Sequence, residues 1–124
     1  MRVWCGSVVA AALLTLGFAV PLAQQVYRPA EDWATLPDGM TWAEVSGVAV
    51  DSGERMFALQ RNDPPMLEFD PSGRMVRTWG SGQLVWPHGL RVDRYGFLWI
   101  TDGRGRNGQG HQVFKYTRDG QRVM

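Results

Sequence analysis

Two side chains in this sequence stand where loops meet short apolar runs and have the chemistry for a site. One is His88, in Trp86-Pro87-His88-Gly89-Leu90, and the other is Arg61, in Gln60-Arg61-Asn62-Asp63-Pro64-Pro65. A neutral imidazole ligates zinc, and a catalytic zinc takes three protein ligands and leaves one position open, so His88 is a candidate ligand that needs companions. A guanidinium at a loop mouth can clamp a carboxylate through two parallel hydrogen bonds, which makes Arg61 a candidate for the acidic end of a substrate. The plainer readings are an ordinary loop histidine and a solvated surface arginine. Gly103-Arg104-Gly105-Arg106-Asn107-Gly108 fits G-x-G-x-x-G, but a dinucleotide fold needs a helix next, whose N-terminus holds the pyrophosphate. His111-Gln112-Val113-Phe114 begins a strand instead. The nucleotide reading is therefore rejected, the segment Gly103 to Gly110 is expected to be a flexible loop, and His111 is expected to be structural.

The elements that would position these residues are short strands punctuated by turns. Gly47 to Asp51, Arg55 to Gln60, Met66 to Phe69 and Arg74 to Trp79 read as four strands, with Asp70-Pro71-Ser72-Gly73 a strong turn signal. The order then returns: Gly89 to Asp93, Phe97 to Asp102 and Gln112 to Tyr116 read as three more, with turns at Arg94-Tyr95-Gly96 and Thr117 to Gly120. The offset is 42 residues from Gly47 to Gly89 and 47 from Gly73 to Gly120. A repeat of that length with four strands per unit is the mark of β-propeller blades. The expected fold is thus all-β, about two blades of a larger ring, with His88 where an innermost strand begins. A small β-sandwich or barrel is the alternative. Two blades leave edges that a closed ring would hide, so the chain reads as a piece of a larger propeller.

Composition bounds the rest. The chain has 124 residues, 20% of them charged, with a net charge of +1 and no basic block, which gives nucleic acid no support. Residues 1–23 carry Arg2, an apolar run from Val8 to Val20 and small residues at its end, as a secretory signal peptide does. The run is short for a permanent membrane span, so a secreted or periplasmic location is expected, with a retained anchor as the alternative. Cys5, the single cysteine, lies in this leader, so disulfides would play no part in the mature chain. Residues 24–44, with Pro29, Pro37 and Gly39, read as a lead-in, and residues 45–124 as the incomplete propeller domain.

Gln60-Arg61, Val45-Ser46-Gly47-Val48-Ala49, Trp86-Pro87-His88-Gly89-Leu90, Leu98-Trp99-Ile100-Thr101-Asp102 and His111-Gln112-Val113-Phe114-Lys115 together resemble the peptidyl-α-hydroxyglycine α-amidating lyases. These are a branch of the NHL-repeat propellers. The resemblance covers about Val45 to Tyr116. It implies a six-bladed propeller with zinc and a structural calcium in its channel, cleaving peptidyl-α-hydroxyglycine to a peptide amide and glyoxylate. It further implies His88 as one of three zinc histidines, Val48 and Leu90 as backbone-carbonyl calcium ligands, and Arg61 as the residue binding the substrate carboxylate. Three departures stand beside it. The other two zinc histidines and a tyrosine base would belong to later blades, the segment before His111 is longer than usual, and Asn62 stands where the family has glycine.

Two other classes fit the same pattern. One is a non-catalytic NHL-type propeller binding a protein or small ligand, and the other is a calcium-dependent lactonase-like hydrolase. The first expects no channel histidines in further blades, and the second expects acidic and Asn ligands instead. For the lyase, the expected partner is a small molecule or peptide with a C-terminal carboxylate, and the chain by itself is expected to be inactive.

Overall fold

A computed structural model describes residues 27–124. The leader expected over residues 1–23, with Cys5, lies outside the described residues. The described residues form two antiparallel sheets without a helix. The first contains β1 (Val45–Val50), β2 (Met56–Gln60), β3 (Met66–Phe69) and β4 (Met75–Trp79), in that order. The second contains β5 (Pro87–Val92), β6 (Leu98–Arg106) and β7 (Gln109–Tyr116), and Tyr116 bridges onward to Arg122. Two such meanders side by side are compatible with neighbouring blades of a propeller. No described helix is long and apolar enough to cross a membrane.

The repeat in the sequence is a repeat in register. Val48 pairs with Ala58 in the first sheet, and Leu90 pairs with Ile100 in the second. Each first strand also carries a bulge at the same place, between Val45 and Gly47 and between Pro87 and Gly89.

Strand alternation sends two sets of side chains to two places. Phe57, Leu59 and Met66 from the first sheet meet Leu98, Ile100, Phe114 and Tyr116 from the second in one buried cluster. Each such side chain contributes about 2 kcal/mol by leaving water, so this shared core joins the sheets. Ala58, Leu67 and Phe69 point the other way and are covered by the lead-in, through Trp33, Ala34, Leu36 and Met40. Trp42 stacks on Phe69 with ring centroids 5.5 Å apart. The lead-in also pairs with the sheet backbone, where Thr35 N–H donates to the Gly73 carbonyl at 2.8 Å.

A buried carboxylate ties the sheets as well. Glu68 on β3 is fully buried and accepts from Arg55 and Arg77, each at 2.6 Å. Arg77 continues across to the carbonyls of Arg118 and Asp119 beyond β7. Two cations answering one buried anion meet the requirement that a buried charge be paired and hydrogen-bonded.

The segment expected to be a loop from Gly103 to Gly110 is a hairpin instead. β6 runs through Arg106, β7 begins at Gln109, and Gly105 pairs with Gly110. Asn107 and Gly108 turn it with φ of 51° and 78°. Both angles are positive, as a two-residue type I′ turn requires, and Asn-Gly is the pair that favours it. His111, also at positive φ, lays its ring against Gly105, where an added Cβ would sit 2.7 Å from the imidazole.

Candidate functional site

His88 gets its place from the bulge in β5. Pro87 pairs with Asp102 and Gly89 with Thr101, so His88 falls between rungs of the ladder and its side chain is exposed. A bulge of this kind re-aims one side chain out of the regular alternation. The equivalent residue in β1 is Ser46, whose hydroxyl donates to the Leu59 carbonyl at 3.3 Å. Gly89 follows because β6 lies close: a Cβ there would be 2.8 Å from the Thr101 hydroxyl.

Arg61 leaves the end of β2 at the same edge of the molecule. Its amide donates to the Glu44 carbonyl at 2.9 Å, and its guanidinium Nη1 makes an ion pair with the Glu44 carboxylate at 2.9 Å. Its Nε reaches the Pro87 carbonyl at 3.4 Å, and its Nη2 lies 3.4 Å from His88 Nδ1. The two candidates are therefore in contact. Gln60, almost fully buried, holds the base of this loop: its side chain accepts from Ala43 N–H and donates to the Pro64 carbonyl, both at 3.1 Å.

The arginine also lies over the indole of Trp86, its guanidinium carbon 4.5 Å from the ring centroid. Arg104, from the hairpin, lies over the same ring at 3.8 Å. Trp86 is fixed from below by Asp102, which is buried and accepts from the amides of both Val85 and Trp86. Asp102, the second residue of the T-D pair, thus has a mechanical role, anchoring the segment that carries the histidine. A cleft of about 240 Å³ opens here, lined by Arg61, Asn62, Leu84, Trp86 and Arg106 among others.

Val48 and Leu90 occupy equivalent rungs of β1 and β5. Asp51 and Asp93 exchange hydrogen bonds with the strand beyond their turns, through Asp51 N–H to Arg55 and Asp93 N–H to Phe97. Backbone groups alternate direction along an antiparallel strand, so Val48 and Leu90, three residues back, turn their carbonyls away from β2 and β6. Both carbonyls thus face the open side of the first strands. There β1 and β5 approach closely: a Cβ on Gly47 would lie 3.0 Å from that of Leu90.

Among the described residues no three His, Cys, Asp or Glu side chains gather where they could share a metal ion. His88 is a single exposed imidazole. A larger hollow, about 690 Å³, lies at the opposite end of the strands among the turns, near Asp51, Asp93 and Arg118. The Asp51–Arg118 ion pair at 2.9 Å crosses it and joins the sheets, so it reads as a seam rather than a site.

No protein-family model matches this chain, and no curated protein does either. The functional reading rests on the site itself. Of its parts, Arg61 and His88 were accessible to sequence reasoning. The counter-ion Glu44, the platform Trp86 and the second arginine Arg104 were not. Only Arg104 had a local signal, the Asn107-Gly108 turn that folds its loop back.

Proposed function

We propose that this chain forms two neighbouring blades of an exported, metal-dependent propeller lyase that cleaves peptidyl-α-hydroxyglycine to a peptide amide and glyoxylate. The observation that supports this most is the meeting of Arg61 and His88, 27 residues apart in sequence and 3.4 Å apart in space. In this reading Arg61 takes the substrate carboxylate. His88 gives a zinc ion one of its three protein ligands. A bound zinc would lower the pKa of the substrate hydroxyl, easing loss of its proton as the C–N bond breaks. The carbonyls of Val48 and Leu90 are hard oxygen donors of the sort calcium takes.

The contact itself imposes a choice on His88. With Arg61 donating to Nδ1, the neutral ring keeps its proton on Nε2, and a ring so protonated has no lone pair there for a metal. Were His88 to hold zinc through Nε2, its proton would sit on Nδ1, and Arg61 Nη2 would be turned from the ring toward a carboxylate while Nη1 stayed on Glu44. The same contact also favours a second reading, a non-catalytic binding module in which the two side chains only brace each other.

Titration of the full chain with zinc, followed through the His88 ring signals by NMR, separates these. The lyase reading expects those signals to move, with weak affinity because one imidazole supplies one of three ligands, and expects no turnover of an N-acyl-α-hydroxyglycine by this chain alone. Sub-micromolar zinc binding that persists in His88→Ala, or His88 signals unmoved by zinc, would sink the assignment.

A further inference from the structure

We infer that the β6–β7 hairpin makes this a site for ligands carrying two negative groups, with Arg104 as the second anion-binding arginine. This rests on the reading of Arg61 as a carboxylate binder.

The hairpin is anchored at its base to the segment it serves. Gly103 N–H donates to the Trp86 carbonyl at 2.9 Å, and a Cβ on Gly103 would be 3.4 Å from that of His88. The next residue is Arg104, whose guanidinium lies over the Trp86 ring. Arg61 lies over the same ring, so the two guanidinium carbons are within about 8 Å of each other. Like charges within a Debye length repel each other. Contact with the electron-rich ring offsets part of that repulsion, and a ligand whose negative groups reach both would offset more.

Their existing partners differ. Arg61 has Glu44 on Nη1, whereas Arg104 and Arg106 make no ion pair among the described residues. Stacking engages the flat face of a guanidinium and leaves its N–H donors free around the rim. One guanidinium already satisfies both oxygens of one carboxylate. The second guanidinium, free of any ion pair among the described residues, is the donor set open to a second negative group. The ligand class is therefore a dianion, such as a dicarboxylate, and for the proposed lyase it is a substrate with an acidic group near its hydroxyglycine carboxylate.

The test is titration of the full chain with succinate and with acetate, followed through the Trp86 indole N–H signal. We expect succinate to bind at least about tenfold more tightly than acetate, the scale of one added charge-assisted hydrogen-bonded contact. Arg104→Gln, an exposed substitution, should bring the succinate-to-acetate affinity ratio down to about one. Equal affinities in the parent chain, or a succinate preference that survives Arg104→Gln, would overturn the inference. Arg61→Gln tests the other reading separately: acetate binding that survives it removes Arg61 as the carboxylate residue, whatever the succinate-to-acetate ratio shows.

Discussion

Four reverse turns in this chain share one design: an oxygen at the first position accepts from the amide four residues on. Asp51, Asp70 and Asp93 do so with carboxylates, and Thr117 does so with its hydroxyl. The fourth residue of each turn lies at positive φ: Glu54 at 60°, Gly73 at 84°, Gly96 at 83° and Gly120 at 79°. Three of the four are glycine, the residue that reaches this region without a Cβ clash. In the first turn the glycine stands one place early, at Gly53, and Glu54 takes the strained position. Glu54→Gly should therefore stabilise the protein by about 0.5 kcal/mol, the left-handed penalty less the added freedom of the unfolded chain. A urea midpoint that stays put or falls would contradict this.

At the scale of elements, the β3–β4 turn contributes a pH dependence. Hydrogen bonds from the Ser72 hydroxyl first, then from the Arg74 and Ser72 amides and the Arg74 guanidinium, hold the Asp70 carboxyl at about 2, well below its ordinary 3.8. The folded state thus prefers the ionised form. Its contribution to stability is complete above the ordinary value and is lost as pH falls through the folded one. Thermal unfolding between about pH 4 and pH 2 should lose less stability in Asp70→Asn than in the parent chain, and equal slopes would rule this out. Asp93 is lowered in the same sense, first by the Trp99 indole N–H.

Most elements were legible in the sequence, because turn residues mark their ends. The third strand was read to the residue at Met66–Phe69, and the 42-residue offset carried over into identical registers. The hairpin was missed because the five glycines and arginines among residues Gly103 to Gly108 look like a linker and hide the Asn107-Gly108 turn signal. Side-chain pairing across the site was not legible at all. That Glu44 answers Arg61, or that Trp86 gathers two cations, depends on the meeting of segments well separated in sequence, which no local pattern encodes.

For the whole molecule, the decisive feature is how differently its parts are connected. Each sheet is a meander of adjacent strands, whereas the start of the lead-in, at Trp33 and Thr35, finds its partners Phe69 and Gly73 only across most of the first sheet's sequence. Closing a longer loop gives up more chain entropy, and contacts distant in sequence form more slowly. The hairpins should therefore form first, and the lead-in should dock last and come away first. In native-state hydrogen exchange the Thr35 amide should exchange through a smaller opening than amides of β2 and β3, and Gly73→Ala, whose Cβ would meet the Trp33 carbonyl at 1.7 Å, should widen that gap. If Thr35 exchanged only with global unfolding, the lead-in would belong to the folding nucleus instead. In kinetic terms, Leu67 and Phe69 form a surface that stays open until the last step of folding, and for that interval the chain is at its stickiest.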